Sequence, residues 1–415
     1  MEKTRILEEL IASRNVPPFI YNDVLILVPS SRMKRMYGRL FLDLVHRKGS
    51  SALVQPEIQT LHQFFEKLYS SLNGPRLMDE NSRLFLLEGL VKERLINGSL
   101  FNQSPDLLAP SLSAALAKMI EQLSAAGVMP GDVSLKIKDA DFFDKPQVNL
   151  LIDVYTRYTA FLEKRGLTDP AGMRAHLRDH FDPAWLARYS RIVIDGIQDT
   201  GRLETDILRK MVEYGDCAYL VDAPSLDLIE RAGESHPLRI TKDFISAVGI
   251  APEADRAGMN NDDRFLASTV FSDKPFAETI QNAPSPSTFS KTINLLSTVN
   301  TREEVSMIAG MVKQSLKNGI VPDSILVAFP TLDEYGPLVE ELFNDYGIPF
   351  NRALGRQLST SPVSTAVVSL LRSFQEDFSG PSLLRIISSP FTKFSEDQSL
   401  SPALDRLMRD RRMTG

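Results

Sequence analysis

The chain has 415 residues, 43% hydrophobic and 24% charged, with a formal net charge of −6 and a single cysteine. That length predicts two or three domains, and the acidic balance excludes a polybasic nucleic-acid binder, although a local basic face still acts within the ~8–10 Å reach of screened charges. One cysteine excludes an internal disulfide or a multi-cysteine metal site within these residues, and with no transmembrane-length apolar run or signal-peptide core in "MEKTRILEEL" the expected compartment is the cytoplasm, with no membrane partner.

Asn22 to Ser31, "NDVLILVPSS", predicts a short buried strand with a polar exit, and "RMKRMYGRLFLDLVHRK" a basic helix after it. "ALVQPEIQTLHQFFEKLY" predicts a second extended piece that turns into a helix at Thr60. From Glu80 to about Arg178 apolar residues recur at helical spacing, as in "SRLFLLEGLVKERL", "LSAALAKMIEQLSAAG" and "NLLIDVYTRYTAFLEKRG". Strands return with "RIVIDG" and with "CAYLVDAP", which holds Cys217 as a buried core thiol. A helical block therefore interrupts an α/β domain. Pro224 to about Asn282 reads as loops with short helices, and "NAPSPSTFSK" as a linker. A second α/β unit follows: strand "TINLLST", helix "TREEVSMIAGMVKQSLKNG", strand "SILVAFP" and helix "LDEYGPLVEELFNDYG". Strand and helix alternate at lengths that predict a parallel sheet. Two more helices, "PVSTAVVSLLRSFQEDF" and "PSLLRIISSPF", precede a polar end.

Nucleotide hydrolysis on such a sheet needs a glycine-rich loop with lysine, an aspartate at a strand end for magnesium, and a second carboxylate to orient water. No Gly-Lys dipeptide occurs in the chain. In "RIVIDGIQDT" Asp195 has the position for a metal, but Gly196 has no carboxylate and Asp199 lies four residues on. Loss of a general base costs a factor of about 10²–10⁴ in rate. The plain alternative is a strand–turn–helix with Asp199 or Thr200 as the helix cap. Ser30, Ser31 and Arg32 fall at a strand's carboxyl end, where open α/β sheets bind ligands. With Lys34 and Arg35 they either contact backbone phosphates or form a helix start with a solvated basic face. Thr60 and His62 either touch a nucleic-acid strand, with Phe64 or Phe65 as a stacking platform, or serve as a helix cap beside a core phenylalanine pair.

Ile192 to Thr200 resembles the D-E-x-Q-D-T box of superfamily-one helicases of the UvrD/RecB type, with Gly196 in place of the glutamate. "LVPSSRMKR" resembles the strand and loop that meet single-stranded DNA in that family, "QTLHQFF" its T-x-H-S-F box, and "YTAFLEKRGLTD" the helix and aspartate that close its inserted helical domain. Glu303 to Phe350 resembles the opening of the second motor domain. Order and spacing together match the AddB-type subunit of bacterial helicase–nucleases, in which the helicase half has lost its motor residues. Gln198 is kept from the D-E-x-Q-D-T box and Asp222 from the G-D-x-x-Q box, whose glutamine position holds Ser225. AddB-type chains carry a carboxy-terminal nuclease of the PD-(D/E)XK type, which needs an acidic-x-Lys tripeptide; none occurs in these residues.

The resemblance implies two RecA-like (P-loop NTPase-like) parallel-sheet domains with a large inserted helical domain. Residues 1–75 and 185–282 form the first, 76–184 the helical insertion, 283–290 a linker, and 291–415 the start of the second. It implies a catalytically degenerate, DNA-binding scaffold in double-strand-break repair, with DNA and an AddA-type helicase–nuclease subunit as partners. No cofactor is expected in this segment, with ATP and magnesium in the partner motor or parent complex. It also implies that the segment is an amino-terminal portion of a longer protein. Two alternatives stay open: an active ATP-dependent helicase with its phosphate loop upstream, and a protein-interaction module that docks a motor subunit.

Overall fold

The computed structural model describes residues 7–9, 19–47, 53–97, 105–137, 145–221, 229–230, 232–234, 236–254, 294–351, 361–375, 378–393 and 399–410. The chain divides into two compact units, Met1–Asn294 and Leu295–Gly415.

The first unit begins with β1 (Phe19–Ile20), β2 (Val24–Val28), α1 (Ser31–Arg47), β3 (Leu53–Val54), β4 (Glu57–Thr60) and α2 (Leu61–Ser70). β5 (Arg76–Leu77) leads into the helices α3 (Glu80–Asn97), α4 (Pro105–Ala125), α5 (Pro130–Ile137) and α6 (Lys145–Arg165), and β6 (Leu167–Thr168) leads out. The unit continues with α7 (Pro170–Asp179), β7 (Arg191–Asp195), α8 (Arg202–Tyr214), β8 (Cys217–Val221), α9 (Arg239–Val248) and β9 (Pro252–Ala254).

The main sheet has five strands in the order β4-β2-β7-β8-β9, and every pairing is parallel. β2 is an unbroken apolar run, "VLILV", buried at all five positions, as a strand covered on both faces requires. On one face Ile26, Val28 and Val193 pack against Tyr37, Phe41 and Leu44 of α1. On the other, Leu25, Leu27, Ile192 and Ile194 pack against α2, α7, α8 and α9. The chain moves one way from β2 to β4 and then back across β2 to β7, β8 and β9. Right-handed crossovers in opposite directions put their helices on opposite faces, which explains why α1 lies on the face away from α2, α7, α8 and α9. β9, with proline and no β-branched residue, was not predicted; it closes the edge beside β8.

The short strands that flank the helices α3 to α6 pair with each other. Arg76 pairs with Leu167 and Leu77 with Thr168 in parallel register. Between them Leu87, Val91, Ile120, Val154 and Tyr158 form a separate core. Gly166 ends α6 with φ +62°, the left-handed turn that glycine adopts without a Cβ clash. α7 lies within the expected 76–184 block, yet its Met173 and Leu177 belong to the sheet core. The expected 283–290 linker lies outside the described residues.

The second unit contains α10 (Thr301–Lys317), α11 (Leu332–Asp345), α12 (Pro362–Gln375), α13 (Gly380–Ile387) and α14 (Leu400–Asp410). Val305, Ala309, Val312, Leu342, Phe343 and Ile348 form its core. The predicted strands "TINLLST" and "SILVAFP" are not realised as a ladder among the described residues. Residues 325–329 keep strand alternation: Ile325, Val327 and Phe329 pack on the helical core, while Leu326 is 79% exposed. A strand is completed by hydrogen bonds to a neighbour, and none pairs there among the described residues. Among the described residues a parallel sheet is therefore present in the first unit only, and residues 407–410 of the predicted polar end belong to the helix α14.

Candidate nucleic-acid interface and the motor position

Because the crossovers from β2 and β7 leave toward opposite faces, their carboxyl ends border a switch-point crevice, the usual ligand position in an open α/β sheet. The segments after β4, β2 and β7 meet at this edge, with Val28 in register with Thr60 and Leu27 with Ile194.

After β2, the Ser30 hydroxyl accepts a 3.3 Å hydrogen bond from the Met33 amide, so Ser30 caps the first turn of α1. Ser31, Arg32 and Arg35 are exposed and Lys34 is half-buried. After β4, Thr60 caps α2: its Oγ1 accepts from the Gln63 amide at 3.3 Å, and the Gln63 side chain reaches back to the Thr60 amide at 3.4 Å. This is a capping box. The Lys34 ammonium donates to Gln63 Oε1 at 3.1 Å, which joins the amino-terminal turns of α1 and α2. His62 is exposed and lies 3.4 Å from Glu66 on the next turn. Phe64 is fully buried and packs against Phe65 and Tyr189. Its ring offers no face to a base, so the core reading of the phenylalanine pair replaces the stacking one.

The motor position is built differently from a nucleotide site. Asp195, the last residue of β7, is 0% exposed. Its Oδ2 accepts a 2.8 Å hydrogen bond from the Tyr37 hydroxyl of α1. Gly196 follows with φ +64°, a region that a residue with a Cβ enters at a cost of roughly 1–2 kcal/mol. Asp199 is exposed. Gln198 accepts a hydrogen bond from the hydroxyl of buried Thr241 on α9. The cap of α8 is Gly201 rather than Asp199 or Thr200, with the Glu204 carboxylate accepting from its amide at 3.3 Å. The Thr200 hydroxyl instead meets that of Thr205 at 2.9 Å. Asp222 lies outside the described residues.

These residues do not fit magnesium and a nucleotide triphosphate. The strand-end carboxylate is sealed under α1 and engaged by a tyrosine. The next position has no side chain, and its backbone disfavours one. Tyr37 was missed in the sequence, though a signal was present. It shares the buried face of α1 with Phe41 and Leu44, and a tyrosine in an apolar stripe calls for a polar partner.

No family model matches the chain. It is 24% identical over 315 residues, 73% of its length, to an ATP-dependent helicase/deoxyribonuclease subunit, the AddB-type one, of Staphylococcus carnosus (strain TM300). The likeness supports an AddB-type assignment. The match covers 26% of that relative, so the chain spans about a quarter of the length of the protein it resembles. Among the described residues no helix is long and apolar enough to cross a membrane.

Proposed function

We propose that this chain is a helicase-like, DNA-binding part of an AddB-type helicase–nuclease subunit acting in double-strand-break processing, with no nucleotide turnover of its own. The observation that carries the reading is the burial of Asp195 under Tyr37, which removes the magnesium-binding acid from solvent while the basic turn beside it stays exposed. Arg32 and Arg35, with Lys34 braced on Gln63, contact strand phosphates, and the Ser31 hydroxyl adds a neutral contact. Such contacts fix the path of a strand without reading its sequence. The partner motor of the AddA type supplies ATP hydrolysis, and the nuclease belongs to the parent complex.

The test is an equilibrium titration with a single-stranded oligonucleotide at several salt concentrations. Replacing Arg32, Lys34 and Arg35 together by alanine is expected to weaken binding and to flatten the salt dependence by about two logarithmic units of slope, roughly 0.7 per lost contact on a single strand. An unchanged slope removes the basic turn from the interface.

A second reading, docking of the motor subunit on the helical insertion, draws on Phe85 and Ile96. They are 74% and 63% exposed, and their spacing on α3 puts them on one helix face. Retention of an AddA-type subunit without DNA, lost on Phe85→Ser, supports it.

A further inference from the structure

We propose that Asp195 is a positioning residue for the basic turn of α1, holding that turn at the carboxyl edge of the sheet through Tyr37. The inference rests on the reading that this turn binds single-stranded DNA. Tyr37 lies one helical turn beyond Lys34 and five residues beyond Arg32, so a tie at Tyr37 fixes both the rotation and the tilt of the turn that carries them. Both partners are buried, at 1% and 0% exposure, and the bond spans 158 positions of chain at 2.8 Å. The brace continues outward. Lys34 of the same helix grips Gln63, and Gln63 closes the capping box on Thr60 at the end of β4. The ends of β7 and β4 are thereby both tied by side chains to α1, the helix that follows β2. Apolar packing of Phe41 and Leu44 holds α1 against the sheet but is non-directional. The hydroxyl–carboxylate bond supplies the direction. An acid at the position of a metal ligand thus has a mechanical task.

The experiment uses the full chain with a thymidine oligonucleotide and compares Tyr37→Phe, Asp195→Ala, Asp195→Asn and Phe41→Leu. Tyr37→Phe and Asp195→Ala are expected to weaken binding about three- to ten-fold and to flatten the salt dependence, because one buried, directional hydrogen bond is lost. Asp195→Asn keeps an acceptor oxygen and is expected to recover most of the affinity lost in Asp195→Ala. Phe41→Leu weakens the same helix–sheet packing and is expected to lower the Tm with affinity and salt slope unchanged. Hydrogen exchange over residues 31–37, without DNA, is expected to speed up in Tyr37→Phe and not in Asp195→Asn.

If Tyr37→Phe changes only the Tm, or if Phe41→Leu loses affinity equally, the positioning role is refuted. Magnesium stabilisation of the wild type that disappears in Asp195→Asn overturns it as well, since Asp195 is then a metal ligand. If the wild type binds no oligonucleotide, the DNA-binding reading falls, and the exchange rates still decide whether Asp195 orders the turn.

Discussion

Tyr158, fully buried on α6, donates its hydroxyl to Asp169 Oδ2 at 3.0 Å, and the other oxygen of that carboxylate caps α7 by accepting from the Gly172 amide at 2.7 Å. One aspartate thus joins α6 to α7, whose Met173 and Leu177 pack in the sheet core. Asp169→Ala removes a cap and leaves a buried hydroxyl without its acceptor. The expected loss is about 2–4 kcal/mol in urea unfolding of the full chain. Tyr158→Phe keeps the cap and is expected to cost less. Equal losses in the two variants would show that the cap contributes nothing.

Gly196→Glu introduces the glutamate of the D-E-x-Q-D-T box that this segment resembles, and it is expected to confer no activity. The new carboxylate has no partner acid in solvent, because Asp195 stays under Tyr37. The φ of +64° adds a destabilisation of roughly 1–2 kcal/mol. Phosphate release from ATP is the measurement. A rate well above wild type, abolished again by Asp195→Ala, would revive the active-helicase alternative.

Phe64→Leu opens a cavity beside Phe65 and Tyr189 and is expected to cost about 1–3 kcal/mol of stability. Oligonucleotide affinity per folded molecule is expected to stay at the wild-type value. A loss of affinity with stability intact would return the ring to the interface.

Burial first, and then the neighbouring His180, hold His176 below the ordinary histidine pKa of 6.5. The two rings stack at 4.1 Å; Tyr69 meets His176 edge-on at 5.6 Å, and Asp179 pulls in the opposite direction. The unfolded chain therefore binds a proton that the folded chain resists. The contribution of His176 to stability is present above about pH 6.5 and is lost as pH falls through the lowered folded value. The Tm of the wild type is expected to drop between pH 7.5 and 5.5, with a shallower drop in His176→Gln. Parallel curves would refute the assignment.

Much of the first unit was legible in the sequence because local pattern and burial agree there. "VLILV" is apolar at every position and is buried at every position. The capping box of Thr60 and Gln63 could be read from three residues' spacing. Asp195 at the end of a buried strand, with the turn at Gly196 after it, was legible, but the bond to Tyr37 was not. It joins residues 158 positions apart, and only the order of strands in the sheet brings them together. Phe64 was ambiguous for the opposite reason: an aromatic at helical spacing reads the same whether it faces core or ligand. In the second unit "SILVAFP" shows the limit of strand propensity. Ile325, Val327 and Phe329 face the helical core, yet propensity does not supply the neighbour that turns an extended run into a sheet.

The clasp of Arg76–Leu77 against Leu167–Thr168 has a consequence for how this architecture tolerates change. The polypeptide departs at β5 and returns at β6 side by side, so the spacing of the two ends does not depend on the length of chain between them. A helical block held to its host by this clasp, by the Asp169 cap and by the packing of α4 on α7 and of Ala125 beside Gly201 can lengthen or shrink away from those contacts, while the parallel strands beneath keep their register.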